Sequence, residues 1–292
     1  MNKFAIVTDS CANISQEIID AHDVHIMTLT YLLDGVEKAG YVKGQKLDYA
    51  GFYNALRNKV PAATSQATPN QAREVFLPIL ESGQDALFIG LSSGLSGTVA
   101  AVSQAAESLK EQFPDRTIIC VDSLSATIGY GMMVLRAIKM REEGKTLEET
   151  GEWLDEIRHK ALHYFTIDDL FHLKRGGRLS AMKAIMGSAL NVKPLLTVSR
   201  EGKLVPIGKA RGRTKALDGL VDSVSYIDPS IDGTVYIVHG DCQKDAEYSA
   251  DRIREKHKGL KVEVIDLDPV IGVHSGPGTV AIIFFGNKGR DV

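Results

Sequence analysis

Phe4-Ala5-Ile6-Val7-Thr8-Asp9-Ser10 sets the pattern for this chain. Four apolar residues, enough for one short buried strand, run straight into two hydroxyls and a carboxylate. Ala86 to Ile89, closed by Ser92-Ser93, and Thr117 to Val121, closed by Asp122-Ser123, repeat the arrangement. Amphipathic helical patterns lie between them. Short apolar runs alternating with helices read as βαβ units around a parallel sheet. Ligands in such sheets bind beyond the carboxyl ends of the strands, so the three polar clusters lie where a site is expected. The alternative is that Asp9, Ser10 and Asp122 cap the helices that follow.

Working outward, Thr68-Pro69-Asn70-Gln71 reads as a helix start, with Thr68 as N-cap, Pro69 in the first helical position and Gln71 completing a capping box. Thr64 and Ser65 then stand just before a helix N-terminus, where free N–H groups favour an anion. Helical patterns over 126–141 and 147–159 lead to a change of style near residue 160. Beyond it, strand-like runs at 161–166, 192–198, 203–207, 234–238, 261–265 and 280–285 alternate with helical patterns near 215–226 and 244–257. Arg200-Glu201-Gly202 reads as a hairpin turn. We expect an α/β chain of two domains: residues 1–160 with a parallel sheet, and 161–292 with a mixed sheet.

The bulk numbers fit this. The chain has 292 residues, a hydrophobic fraction of 44%, a charged fraction of 24% and a net charge of −3. That is ordinary globular composition, with no bulk bias toward nucleic acid or membrane surfaces. Cys11, Cys120 and Cys242 form neither an even disulfide set nor a metal-ligand spacing, which fits a reducing cytoplasm. Met1-Asn2-Lys3 runs directly into the first strand, unlike a signal peptide, and no apolar stretch is long enough to span a bilayer.

Several constellations carry chemistry. Gly272-Val273-His274-Ser275-Gly276-Pro277-Gly278 reads as a glycine-rich loop that brings backbone and one imidazole close to a ligand. Gly90-Leu91-Ser92-Ser93-Gly94 matches G-x-S-x-G, and Asp122 and His274 follow in the order of an α/β-hydrolase triad. A serine hydrolase using Ser92, Asp122 and His274 is therefore one reading, and a small-molecule sensor or interaction protein is another. Leu95-Ser96-Gly97-Thr98 continues the segment with more hydroxyls, which suits a binding cradle better than one nucleophile. No phosphate P-loop, dinucleotide fingerprint or zinc spacing is present. Leu173-Lys174-Arg175-Gly176-Gly177-Arg178 reads as a short helix ended by a Gly pair, with Arg178 free to aim its fork at a carboxylate or phosphate. Lys209 to Lys215 is a second basic run, either a solvated face or a docking patch for an acidic partner.

Taken together, Thr8-Asp9-Ser10, Thr64-Ser65-Gln66, Ser92-Ser93-Gly94-Leu95-Ser96-Gly97-Thr98, Asp122-Ser123, the 173–178 motif and the 272–278 motif resemble the DegV family across essentially the whole chain. The nearest functional likeness is to the fatty-acid-binding subunit of bacterial fatty acid kinase. The resemblance implies a DegV-like fold of two domains, the first three-layered, burying one long-chain fatty acid between them. It implies no cofactor, no metal and no catalysis by the chain itself. A separate kinase would phosphorylate the bound acid to an acyl-phosphate, which an acyltransferase would use for phospholipid synthesis in a bacterial cytoplasm. By motif, Thr64 and Ser96 would bind the carboxylate. Arg178 and His274, with Ser65 and Ser93, would complete the head-group network, and Thr8, Asp9 and Ser10 would support it. Arg211 and Arg213 would face the kinase. Ala67-Thr68-Pro69 departs from the Pro-Ser often found there, but Thr68 still caps the helix. Ile128, Met132, Ile185, Met186, Leu190, Ile271 and Phe285 are candidates for either tail pocket or core.

Overall fold

The computed structural model describes residues 4–178 and 191–292. Ile185, Met186 and Leu190 lie outside them. In chain order the strands are β1 (Ala5–Asp9), β2 (Val24–Met27), β3 (Thr30–Leu33), β4 (Val36–Ala39), β5 (Ala62–Ser65), β6 (Ala86–Gly90), β7 (Ile118–Asp122), β8 (Ala161–Thr166), β9 (Val192–Val198), β10 (Leu204–Arg211), β11 (Thr234–His239), β12 (Lys261–Asp266) and β13 (Val280–Phe285). The chain divides into two compact units. One comprises Met1–Thr30, Lys38–Lys46 and Thr64–Arg158; the other comprises Tyr31–Glu37, Leu47–Ala63 and His159–Val292.

The first unit holds a four-stranded sheet in the order β2-β1-β6-β7, parallel throughout. Strands β1 and β6 are buried along their whole length. A parallel sheet covered on both faces demands continuous rather than alternating apolar runs, which is what Ala5–Val7 and Ala86–Ile89 supply. Helices Pro69–Glu81 and Thr98–Lys110 pack together against this sheet, and so do helices Ile128–Glu142 and Leu147–Ile157. The capping box is formed as expected: the Gln71 N–H donates to Thr68 Oγ1, and the Thr68 N–H to Gln71 Oε1 at 2.9 Å.

The second unit holds a six-stranded mixed sheet in the order β10-β9-β8-β13-β11-β12. Only β11 and β12 pair in parallel; the other neighbours are antiparallel. The hairpin between β9 and β10 turns at Arg200–Gly202, with Gly202 at φ +71° and the Ser199 N–H bonded to the Lys203 carbonyl. Alternate residues of β8, β13 and β11 share a face with helices Arg213–Asp222 and Gln243–Lys256. There Leu162, Ile282, Phe284, Ile237, Leu220 and Ile253 form the centre of one core. Arg290 is buried against the same sheet. Its guanidinium donates to the carbonyls of Ala161, at 2.8 Å from Nη2, and of Ser199, so the C-terminal tail ties β8 to the β9–β10 hairpin. A third sheet, in the order β4-β3-β5, carries Thr64 and Ser65 at the end of β5. Among the described residues no helix is long and apolar enough to cross a membrane.

Candidate functional site

The polar clusters at the carboxyl ends of β1, β6 and β7 form one hydrogen-bonded layer. Thr8 Oγ1 donates to the Ile89 carbonyl at 2.7 Å, and Ser123 Oγ to the Gly90 carbonyl at 2.6 Å. Asp9 is fully buried and accepts from the Cys11 N–H at 3.0 Å, the Tyr130 hydroxyl at 2.5 Å and the Leu91 N–H at 3.2 Å, with the Cys11 thiol as a further donor. Burial pushes its pKa up, while these hydrogen bonds pull the other way. Ser10 Oγ accepts from the Leu29 N–H. Asp9 and Asp122 bond to local N–H groups as caps and turns do, and Asp9 also braces the loop after β6.

That loop runs from Leu91 to the helix start at Thr98. Ser92 is fully buried, its Oγ accepts from the Gly94 N–H at 3.1 Å, and its N–H donates to the Ser125 carbonyl. Asp122 Oδ1 accepts from the Ser93 and Leu124 N–H groups. A nucleophile elbow needs its serine exposed at a sharp turn from strand into helix. Here β6 ends at Gly90, the helix begins at Thr98, and Ser92 is sealed beneath the loop. The hydrolase reading of Ser92, Asp122 and His274 is therefore set aside.

Two of the expected carboxylate ligands lie on segments that are stitched together. The Ala67 N–H donates to Thr98 Oγ1 at 3.2 Å, Thr98 Oγ1 lies 3.0 Å from Ser96 Oγ, and the Thr98 N–H donates to Ser96 Oγ. Gly97 has no side chain because the Gln66 carboxamide occupies that space; a Cβ there would lie 2.9 Å from Gln66 Nε2. Thr64-Ser65-Gln66-Ala67 and Ser96-Gly97-Thr98 are thus one surface, on which Thr64 and Ser96 are half-buried and Ser65 and Ser93 are exposed.

In the second unit, 173–178 ends as the glycine pair suggests. Helix Phe171–Arg175 stops at Gly176, Gly177 takes φ +73°, and the Arg178 N–H reaches back to the Leu173 carbonyl at 3.0 Å. Arg178 Nη1 donates to the Gly176 carbonyl. The 272–278 segment differs from expectation. Pro269–Ser275 is a short helix, capped by Asp268 and terminated by Gly276 at φ +80°. Asp268 caps it by accepting the Ile271 N–H and Pro269 takes the first turn, so a helix forms where the glycines alone suggest a loop. Gly272 serves packing: a Cβ would lie 2.6 Å from Tyr53 Oη and 2.9 Å from Phe52. His274 is fixed on this helix with its ring over Gly176. Burial, then the charges of Arg178 and Arg175, hold its pKa down at about 4, so the imidazole is neutral at pH 7.

The two members of the second basic run fare differently. Arg211 is exposed at the end of β10. Arg213 is half-buried and engaged within the unit: Nε donates to Asp245 at 2.8 Å, Nη2 to the Gly278 carbonyl at 2.7 Å, and Nη1 lies 3.5 Å from Asp168. Of the tail candidates, Ile128, Met132 and Phe285 are buried and Ile271 is half-buried. Tyr130, whose hydroxyl braces Asp9, carries no local sequence signal, because it looks like ordinary helix interior.

The family model described as an uncharacterised protein family, DegV, matches residues 3–287. The chain belongs to the DegV family. A DegV domain-containing protein of Clostridium perfringens is 37% identical over 289 residues, covering 98% of this chain and 99% of the relative. Among solved structures, a DegV family protein from Thermus thermophilus described by its fatty acid binding is 29% identical with a TM-score of 0.84, covering 98% of this chain and 100% of that one. DegV of Bacillus subtilis, described as a fatty acid binding protein, is 27% identical with a TM-score of 0.82 over 98% of this chain and 100% of that one. The parallel and mixed sheets expected from the sequence are those of the DegV fold.

Proposed function

We propose that this DegV protein binds one long-chain fatty acid and presents its carboxylate to a separate kinase, which converts it to an acyl-phosphate for phospholipid synthesis. In this reading the chain is a carrier in the cytoplasm, and the chemistry belongs to the kinase and to the acyltransferase that follows. The carrying observation is the joined hydroxyl surface of Thr64 to Ala67 and Ser96 to Thr98. Fatty acid binding by the Thermus thermophilus and Bacillus subtilis relatives supports the ligand class.

The division of labour follows from energetics. About a dozen buried methylenes at ~0.8 kcal/mol each supply roughly 10 kcal/mol of affinity. A buried carboxylate must be met by several donors. Thr64 and Ser96 take that role, with Ser65 and Ser93 beside them. Arg178 and neutral His274 serve the head group and the added charge of the acyl-phosphate, for which a guanidinium fork is suited. Arg211 offers an exposed cation to the kinase; Arg213 positions the strand-to-helix corner behind it.

Native mass spectrometry of the purified chain tests the reading. One co-purifying fatty acid per chain is expected, with less retained by Thr64→Ala and Ser96→Ala. A ligand-free protein that takes up no added oleate or palmitate would refute it.

A further inference from the structure

The second basic run places Arg213 two residues from exposed Arg211, but its guanidinium is drawn inward and the side chain is only 19% exposed. Nε donates to the Asp245 carboxylate at 2.8 Å, Nη2 donates to the Gly278 carbonyl at 2.7 Å, and Nη1 stands 3.5 Å from Asp168. These partners belong to three separate segments of the second unit. Asp245 is in the first turn of helix Gln243–Lys256, and Gly278 is in the loop after helix Pro269–Ser275. Asp168 lies between β8 and helix Phe171–Arg175.

Each contact is backed by others. Lys193 Nζ meets Asp168 at 2.8 Å, so this carboxylate is held between two cations. Gly278 takes φ +77°, and a Cβ on it would stand 2.6 Å from Asp168 Cγ, so the carboxyl group lies directly on that backbone. The Gly278 N–H donates to the Gly240 carbonyl at 2.8 Å. Thr279 Oγ1 donates to the Gly276 carbonyl at 2.8 Å and lies 3.1 Å from the Ser275 carbonyl. Residues 276–279 therefore form a braced link from Arg213 to the last turn of the helix that carries His274. A guanidinium presents its donors in a fixed planar fork, which lets one side chain hold three acceptors at once. A lysine ammonium on its flexible stem cannot span them.

We propose that Arg213 is a positioning residue for His274. Its fork fastens the loop after the His274 helix to the loop before helix Phe171–Arg175, and anchors both to Asp245. The second of those helices ends at Gly176, on which the His274 ring rests. The imidazole is thus set from two sides, through its own helix and through the glycine beneath it. Arg211 keeps the outward face of this corner and Arg213 the inward one. The inference deepens the fatty-acid reading, on which it rests for the task given to His274.

An NMR titration of the histidines in the full chain, without lipid, tests this on Arg213→Gln, Arg213→Lys and Asp245→Ala. After burial, the charges that depress the His274 pKa are those of Arg178 and Arg175. Removing the Arg213 charge leaves them in place, so a shift reports movement or wetting of the ring. Each variant should raise the His274 midpoint from about 4 by about one pH unit, or about tenfold in proton affinity. Asp245→Ala keeps Arg213 and carries the test should the other two fail to fold. His25, in the first unit, also has its pKa lowered by burial and is the control; its midpoint should stay. The proposal is overturned if every folded variant keeps the parent His274 midpoint, if Arg213→Lys titrates like the parent chain, or if His25 shifts as far as His274. A chain that shows the shift yet takes up no oleate refutes the fatty-acid reading and supports the placing of His274 by Arg213.

Discussion

His172 and His274 each lie on the glycine that ends the other's helix. The His274 ring covers Gly176, at the end of Phe171–Arg175, and the His172 ring covers Gly276, at the end of Pro269–Ser275. A Cβ at either glycine would stand well inside van der Waals separation from the facing ring. The two short helices are therefore locked by a reciprocal pair of knobs and holes, and each imidazole is held through a backbone with no room to shift.

Gly176→Ala should break that lock. Overpacking of this kind costs about 1–3 kcal/mol, read as a lower urea midpoint. Gly177→Ala is the control, because its positive φ carries strain but no atom lies within 4 Å of an added Cβ. Only Gly176→Ala should also shift the His274 imidazole resonances and reduce fatty-acid retention.

His274 makes stability fall with acid. Its pKa is about 4 in the native chain against 6.5 when exposed, so the unfolded chain takes up the proton first. The contribution is full above about pH 6.5 and is lost as the pH drops toward about 4, by up to roughly 3 kcal/mol. Urea titrations across that range should show the decline, and His274→Gln should flatten it. Burial also lowers the pKa of His25 and His172, so part of the slope remains. An unchanged slope in the variant would mean that His274 is not the titrating group.

Asp9→Asn should be more damaging than its size suggests. All the partners of Asp9 donate, so an amide would turn its N–H₂ group toward a donor in a fully buried site. A loss of about 2–3 kcal/mol is expected, against about 1 kcal/mol for Tyr130→Phe. Thermal unfolding of the two variants checks the order.

Thr98→Val removes one hydroxyl from the joined surface while nearly keeping shape. It leaves the buried Ala67 N–H without its acceptor, costing about 1–3 kcal/mol. Because Ser96 Oγ also loses its neighbour, oleate retention measured by native mass spectrometry should fall as well. Normal retention in a folded Thr98→Val protein would separate the stitch from ligand binding.

Strands β8, β9 and β13 match the apolar runs at 161–166, 192–198 and 280–285 end for end, since each run is too short for a helix and is bounded by turn signals. The Thr68 capping box and the Gly176-Gly177 helix end were equally legible, being local hydrogen-bond chemistry. Strands β2 to β5 were not. Each is four residues long, several are polar or exposed, and each exists because of partners that no local pattern names. The placing of Tyr31–Glu37 and Leu47–Ala63 with the second unit is likewise invisible in a linear reading, as Gly272 shows: its missing side chain answers to Phe52 and Tyr53, more than two hundred residues away.

Local chemistry therefore carried the α/β class, the helix ends and the list of hydroxyls and cations from which a head-group site is built, because capping, turn geometry and apolar periodicity act over a few residues. Packing alone decided which of those groups are spent. It buried Ser92, drew Arg213 into Asp245, and set two imidazoles on each other's glycines. Those outcomes depend on which distant surfaces exclude water together, and a linear pattern holds no record of that.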